Sequence, residues 1–371
     1  MQFAALSTVR SRIRLGEPLP FNVRDIDRTL LLARGHRVSS QAQLDALMNR
    51  GALVDIAELQ TARERAVRAP REQLPQIWNE TISQIGRTLA EAKAETFAVA
   101  LEESVAPALT LVERDPDLAI FQVLSQAASV DTAYGVRRSL HSAITACLVA
   151  QRLAWQPGEV ERAFKVALTM NLSMLTLQGE LARQRMPPTP EQRVALQSHP
   201  MRSVQMLQRA GVQDKDWLAA VLQHHEVEDG SGYPSGRTDV CELASLARRA
   251  DIYTSKLSAR STREALSADA AGRAIFMQDP SHPMTQALVK EFGIYPPGCL
   301  VRLGSGEAAI VVQRGPTVTT PVVACFTDAG DRPIAKPYRV STSEPGRGVV
   351  SLLQPGTAFP PASAMAAAML G

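Results

Sequence analysis

Apolar positions recur at helical spacing through most of the chain, and the pattern changes character only near its two ends. Residues 72 to 113 are rich in Ala, Glu and Leu, with Ile82, Ile85 and Leu89 on one stripe, which predicts a helical connector. A helix starting near Arg138 carries His141, with Ile144 and Leu148 three and seven residues on, so His141 is expected to face a core or a buried site. The run Val160 to Leu177 is apolar nearly all round (Phe164, Val166, Leu168, Met170, Leu172, Met174) and predicts one centrally buried helix. Thr189-Pro190-Glu191-Gln192 reads as a capping box with proline at the first helical position. A break is expected at His199-Pro200, before a further helix ending at Gly211. Asp214 to His225 places Trp217, Leu218, Val221 and Leu222 at helical spacing, with His225 on the same inward face. A last helix, Leu243 to Leu257, carries Asp251 and Tyr253.

The ends read differently. Thr29 to Leu32 followed by Gly35 suggests a strand and turn, and Ser39 and Ser40 can cap a helix from Gln41 to Arg50, stopped by Gly51. From about Tyr295 the chain carries short β-type runs at Leu300–Leu303, Ala309–Val312 and Pro321–Phe326, separated by Gly304-Ser305-Gly306, Gly315-Pro316 and Ala329-Gly330. The predicted architecture is mainly α, with a small α/β module over residues 1–75, a helical connector over 76–115 and a helical domain over 116–294. A small β-barrel-like module over 295–355 and a disordered Pro/Ala tail over 356–371 follow.

Composition narrows the class. At 371 residues, 45% hydrophobic and 21% charged, the chain is long enough for two or three core-forming domains. Its net charge of +3 and lack of a dense Lys/Arg block give no indication of nucleic acid as a partner. Cys147, Cys241, Cys299 and Cys325 are scattered without a Cys-x-x-Cys pair and read as small buried apolar residues in a reducing compartment. No apolar run reaches about 18 residues, which argues against a membrane span. With no apolar signal core at the N-terminus, the expected location is cytoplasmic.

The chemistry concentrates in His224-His225-Glu226-Val227-Glu228-Asp229-Gly230-Ser231-Gly232-Tyr233-Pro234. Two imidazoles and a carboxylate close a helix, and a glycine-rich turn follows at once. Such a placement suits a metal or phosphate site. The string resembles the HD-GYP family, bacterial hydrolases of cyclic di-GMP, whose pattern joins a His-His-Glu element, an Asp-Gly-x-Gly-Tyr-Pro turn and an upstream His-Asp doublet. The resemblance implies an HD-superfamily helical domain and a metal centre of iron, manganese or similar ions. The residues before and after it also resemble segments found beside HD-GYP domains.

Carried over position by position, the resemblance implies metal ligands at His141, His199 (before Pro200), His224, His225 and Asp251. The doublet falls within Ala167 to Met174, where Met170 stands for the family's His, Asn171 for its Asp, and Met174 for its phosphate-contacting Lys. No His or Asp lies within 161–180 to substitute. Asn offers a neutral carbonyl oxygen where a bridging carboxylate is needed, and a thioether is a poor ligand for hard or borderline ions. Val227 replaces a usual Arg, Thr254 the second Asp of the late motif, and the linker after Pro234 is two residues short.

The resemblance therefore implies a cyclic di-GMP signalling protein with an impaired catalytic site and no confident catalytic residue. It would act by binding the dinucleotide, one divalent metal, or a partner such as a diguanylate cyclase. Two alternatives stay open: an active phosphodiesterase with a reduced metal set, and a metal-free scaffold comparable to HDOD domains. The turn formed by Glu226, Asp229, Gly230, Gly232, Tyr233 and Pro234 could serve partner recognition instead of chemistry. The plainer alternatives are a hydrogen-bonded core histidine at His141 and backbone donors capping Asp251. Met170, Met174 and Met186 would fill core space, and His36 and His282 would lie on the surface.

Overall fold

A computed structural model of the chain describes residues 2–92, 96–125 and 133–353. The residues from 354 on, where the disordered tail is expected, lie outside the described residues. Two compact units result, one ending at Ala69 and the other beginning at Pro70.

The first unit is a four-stranded antiparallel sheet in the order β1-β4-β2-β3, formed by β1 (Phe3–Ala5), β2 (Val23–Arg24), β3 (Leu30–Leu32) and β4 (Leu53–Asp55). Its helices are α1 (Gln41–Asn49), α2 (Ile56–Leu59) and α3 (Ala62–Arg68). Ser40 caps α1 by accepting from the Gln43 amide, as expected of a serine at that position. Leu6, Leu19, Phe21, Val23, Val38, Leu44 and Val54 make the core.

The second unit begins with α4 (Leu74–Ala90), α5 (Phe97–Arg114) and α6 (Pro116–Ser125). Around α7 (Tyr134–Arg152) then gather α8 (Pro157–Thr169), α9 (Leu175–Arg183), α10 (Pro190–Arg209), α11 (Lys215–Gln223), α12 (Glu242–Leu257), α13 (Ala268–Phe276) and α14 (Pro283–Phe292). Small residues along α7 (Ser139, Ser142, Ala143, Ala146, Cys147, Ala150) are all buried and let α8 and α12 pack closely on either side. A β-carbon at Gly135 would stand 2.1 Å from the Leu175 carbonyl oxygen, so glycine is required where α7 meets α9.

The C-terminal β5 (Leu300–Leu303), β6 (Ala308–Gln313), β7 (Val322–Thr327), β8 (Pro333–Ser341) and β9 (Val349–Leu352) form an antiparallel sheet ordered β8-β7-β6-β5-β9. Val301, Leu303, Ala309, Val311, Val323, Cys325 and Val340 pack on one face. An ion-pair network fixes the sheet to the helices. Arg314 pairs with Asp117 and Glu291, and Arg152 also reaches Glu291 at 2.6 Å.

Several expectations are corrected. The Val160–Leu177 run is two α-helices with a 3₁₀ turn at Leu172–Met174 between them. The residues are apolar all round because both helix ends are buried, and periodicity cannot distinguish a buried junction from a continuous helix. α10 runs unbroken through Pro200, where the His199 ring takes up the carbonyl that the proline leaves without a partner. Five strands are absent from the expected pattern: β1, β2 and β4 are only two or three residues long, β9 is four, and β8 is an edge strand carrying Pro333, Lys336, Pro337 and Arg339, a composition that reads as loop and suits an edge. Met170 and Met174 are core residues, but Met186 is 75% exposed. His282 is half-buried and caps α14 by accepting from the Met284 amide. None of the four cysteines is in a disulfide, and two of them, Cys241 and Cys299, are only partly buried.

Candidate metal centre

Three of the five candidate ligands meet. The nearest ring nitrogens of His199, His224 and His225 lie within 4.8 Å of one another. His199 and His224 are fully buried, and His225 is partly so. The expectation that His225 shares the inward face is thereby refined: His224, seven residues after buried Trp217, is the deeper of the pair.

The helix geometry fixes which nitrogen faces inward. Pro200 has no amide proton, so it cannot bond the Leu196 carbonyl four residues back. The Nδ1 of His199 takes that carbonyl instead, at 2.5 Å. The proline is thus tolerated inside α10, and the helix does not break. His224 does the same at the end of α11, where carbonyls lose their helical partners, its Nδ1 lying 2.7 Å from the Val221 oxygen. A carbonyl only accepts, so both Nδ1 atoms carry protons and both Nε2 atoms present lone pairs. Those two Nε2 atoms face each other at 3.1 Å. Backbone-oriented imidazoles of this kind are the usual arrangement of metal-ligating histidines.

The set fits one cation. Two nitrogens each about 2.1 Å from a shared ion stand roughly 3.0–3.4 Å apart for right-angled to tetrahedral bonding, and the pair here is at 3.1 Å. Burial, helped by the neighbouring rings, holds all three imidazoles down to about 3, so they are neutral and ready to donate. Among the described residues no carboxylate joins the cluster.

The motif turn holds this arrangement. Tyr233 stacks on His225 with ring centroids 4.5 Å apart, and its amide donates to the His225 carbonyl. Glu226 is buried and accepts from the Ser235 and Arg237 amides at 2.7 and 3.2 Å. Asp229 turns the chain by accepting from the Ser231 amide, and Gly230 donates to the Val227 carbonyl. At Gly232 a β-carbon would stand 2.5 Å from Glu226 Cα and the His225 oxygen. Only glycine closes the turn this tightly. The Tyr233–Pro234 peptide is cis.

His141 and Asp251 stand outside the cluster. His141 is buried on α7, and burial, with Arg137 and Arg138 adding to it, lowers its pKa to about 3. Asp251 accepts from Arg138 at 2.7 Å, so a side chain answers it where backbone donors were the plainer expectation. Thr254 meets Ser142 at 2.9 Å in the core. Met170 and Asn171 are fully buried, and the Asn171 Oδ1 finds no partner among the described residues. Ser173, two residues on, donates to the His199 carbonyl, tying this segment to α10. Sequence reasoning missed Arg138. The available signal was its place one turn before His141.

This is a helical domain with a histidine cluster at its centre, and comparison places it. Residues 122–272, about two fifths of the chain, match the family described as HD domain. Over 138 residues the chain is 34% identical to the cyclic di-GMP phosphodiesterase PA4108 of Pseudomonas aeruginosa. That match spans 35% of this chain and 33% of the relative, about a third of its length. The fold is similar to that of Bd1817, an HDG"Y"P protein from Bdellovibrio bacteriovorus. The TM-score is 0.51 at 16% identity, covering 78% of this chain and 98% of the other. No helix among the described residues is long and apolar enough to cross a membrane.

Proposed function

We propose that this chain is an HD-GYP-type module of cyclic di-GMP signalling that holds one divalent ion on His199, His224 and His225 and does not turn the dinucleotide over efficiently. One observation carries the reading: the doublet positions are Met170 and Asn171, both sealed in the core, and the histidine cluster has no carboxylate among the described residues. A bound divalent cation supplies positive charge for a phosphoryl oxygen and lowers the pKa of water. The protein's side chains must then hold a second charge close by and accept a proton. Asn171 can do neither, having a neutral amide. Glu226 is committed to the Ser235 and Arg237 amides, and Asp251 to Arg138. What remains suits recognition: neutral imidazoles aimed inward and a rigid Gly-Tyr-Pro turn at the surface. Cyclic di-GMP, whose phosphates would meet the cation, is the ligand the relatives suggest, and a diguanylate cyclase is a partner of matching logic.

The test pairs metal content with turnover of cyclic di-GMP on one preparation. The expected result is one ion per chain and hydrolysis far below about 1 per second. Two ions per chain with turnover above that rate would return the protein to the working phosphodiesterases.

A further inference from the structure

Two candidate ligands, His141 and Asp251, lie outside the histidine cluster, and one residue faces both. We propose that Arg138 is a built-in cation that withdraws Asp251 from the ligand set and so confines the site to its three histidines. The proposal rests on the one-ion reading above and goes beyond it by naming what excludes a further ion.

The geometry is specific. Arg138 Nη2 lies 2.7 Å from Asp251 Oδ1 and 3.3 Å from the Asp251 carbonyl oxygen. The Arg138 side chain is 5% exposed and that of Asp251 16%. Arg138 Nη1 is buried without a partner among the described residues, so Asp251 is the anion on which this guanidinium depends. A buried charge stripped of its partner is strongly unfavourable, and Asp251 therefore cannot swing to a metal without leaving Arg138 stranded. Asp251 is close enough for its charge to be felt by His199 and His224, yet its hydrogen bond is to the arginine.

Arg138 also precedes His141 by three residues on α7, which places the two side chains on one face. Its positive charge works against protonation of His141 and, by the same sign, against a dication beside it. A further ion would need an anion to offset these charges. Asn171 is neutral, and Asp251 is already paired.

Mn²⁺ titration by calorimetry, with elemental analysis and a thermal melt on each sample, tests this. Three proteins are compared: wild type, Arg138→Gln, and Arg138→Gln/Asp251→Asn. Freeing Asp251 in Arg138→Gln should tighten Mn²⁺ binding about tenfold or add a second equivalent, the scale of a recovered ligand or its supporting shell. The double variant should lose that gain and return to within about twofold of wild type. A folded Arg138→Gln with less than about a threefold gain would overturn the proposal. Should Arg138→Gln fail to fold, the double variant decides, because it replaces the ion pair with neutral groups of similar shape. Binding within about twofold of wild type then supports the proposal, and any larger loss identifies Asp251 as a ligand and overturns it. The two readings separate cleanly. Uptake by Arg138→Gln but none by wild type sinks the one-ion reading alone, and one ion on wild type with no gain in Arg138→Gln sinks only the role of Arg138. Absence of binding to both sinks both.

Discussion

The Nε2 atoms of His199 and His224 face each other across 3.1 Å while each ring gives its Nδ1 proton to a backbone carbonyl of its own helix. Two neutral acceptors at hydrogen-bond distance repel unless something positive lies near both. A divalent cation answers this, and its affinity for the folded chain adds directly to stability. Adding Mn²⁺ or Zn²⁺ at a hundredfold excess over Kd should therefore stabilise the protein by about 2.7 kcal/mol. The melting temperature should rise with metal and fall on chelation. His224→Ala should remove most of that rise. A melting temperature indifferent to both metal and chelator would count against the site.

The next expectation concerns Pro200, which touches no ligand atom yet sets the direction of one. Pro200→Ala restores an amide that can bond the Leu196 carbonyl, the oxygen that now holds His199 Nδ1. With that oxygen shared, the ring is free to turn or to change tautomer. The expected outcome is a split: a melting temperature equal to or above that of wild type, and metal affinity weaker by about tenfold, as for loss of a supporting hydrogen bond. Calorimetric titration and a melt on the same protein measure both. A parallel fall in the two quantities would mean that the proline serves only packing.

Much of this was legible in the chain because it is local. The capping box at Thr189, the cap at Ser40, the glycine turn and the α12 helix each depend on residues a few positions apart, and each stands where the spacing puts it. The histidine cluster could be expected from the motif, since His199 and the pair at 224 and 225 keep their order and spacing. What the sequence hid is long-range or ambiguous. The Arg138–Asp251 pair joins residues 113 apart, and nothing near either announces the other. The junction at Met170–Met174 is hidden because residues buried on every side erase the helical period. At Pro200, the rule that proline breaks helices failed because the adjacent histidine supplied the hydrogen bond the proline could not.

Acid should unfold this protein earlier than its carboxylates alone would require. His141, His199, His224 and His225 are held down to about 3 from an ordinary 6.5, in each case chiefly by burial. The folded state thus binds fewer protons than the unfolded chain once the pH drops below 6.5. The stabilising effect is fully present above that value and is lost as the pH falls towards 3. Each such group costs about 1.4 kcal/mol per pH unit across the window. Carboxylates in the unfolded chain take up protons mainly below pH 5, so the interval from 6.5 to 5 isolates the histidines. Urea denaturation at a series of pH values in the metal-free protein should give an uptake of roughly two to four protons on unfolding there. A flat profile over that interval would show the rings to be solvated.

The most demanding expectation is restoration of the doublet. Met170→His with Asn171→Asp and Met174→Lys introduces three ionisable groups where the native side chains are buried. In the absence of metal this should destabilise the fold by several kcal/mol, because unpaired ionisable groups in an apolar interior carry that cost. With Mn²⁺ present, the new aspartate gains a counter-ion and the cost should shrink, so the gap between metal-loaded and chelated melting temperatures should widen relative to wild type. Metal content should rise above one ion per chain only if Asp251 is also released, which makes addition of Arg138→Gln to the triple variant the informative step. Cyclic di-GMP turnover is then expected to climb in the same order, from wild type through the triple to the quadruple variant. Turnover that stays at the wild-type level in a folded, metal-loaded quadruple variant would place the loss of chemistry elsewhere, with Val227 and the packed Ser142–Thr254 contact as the next positions to change.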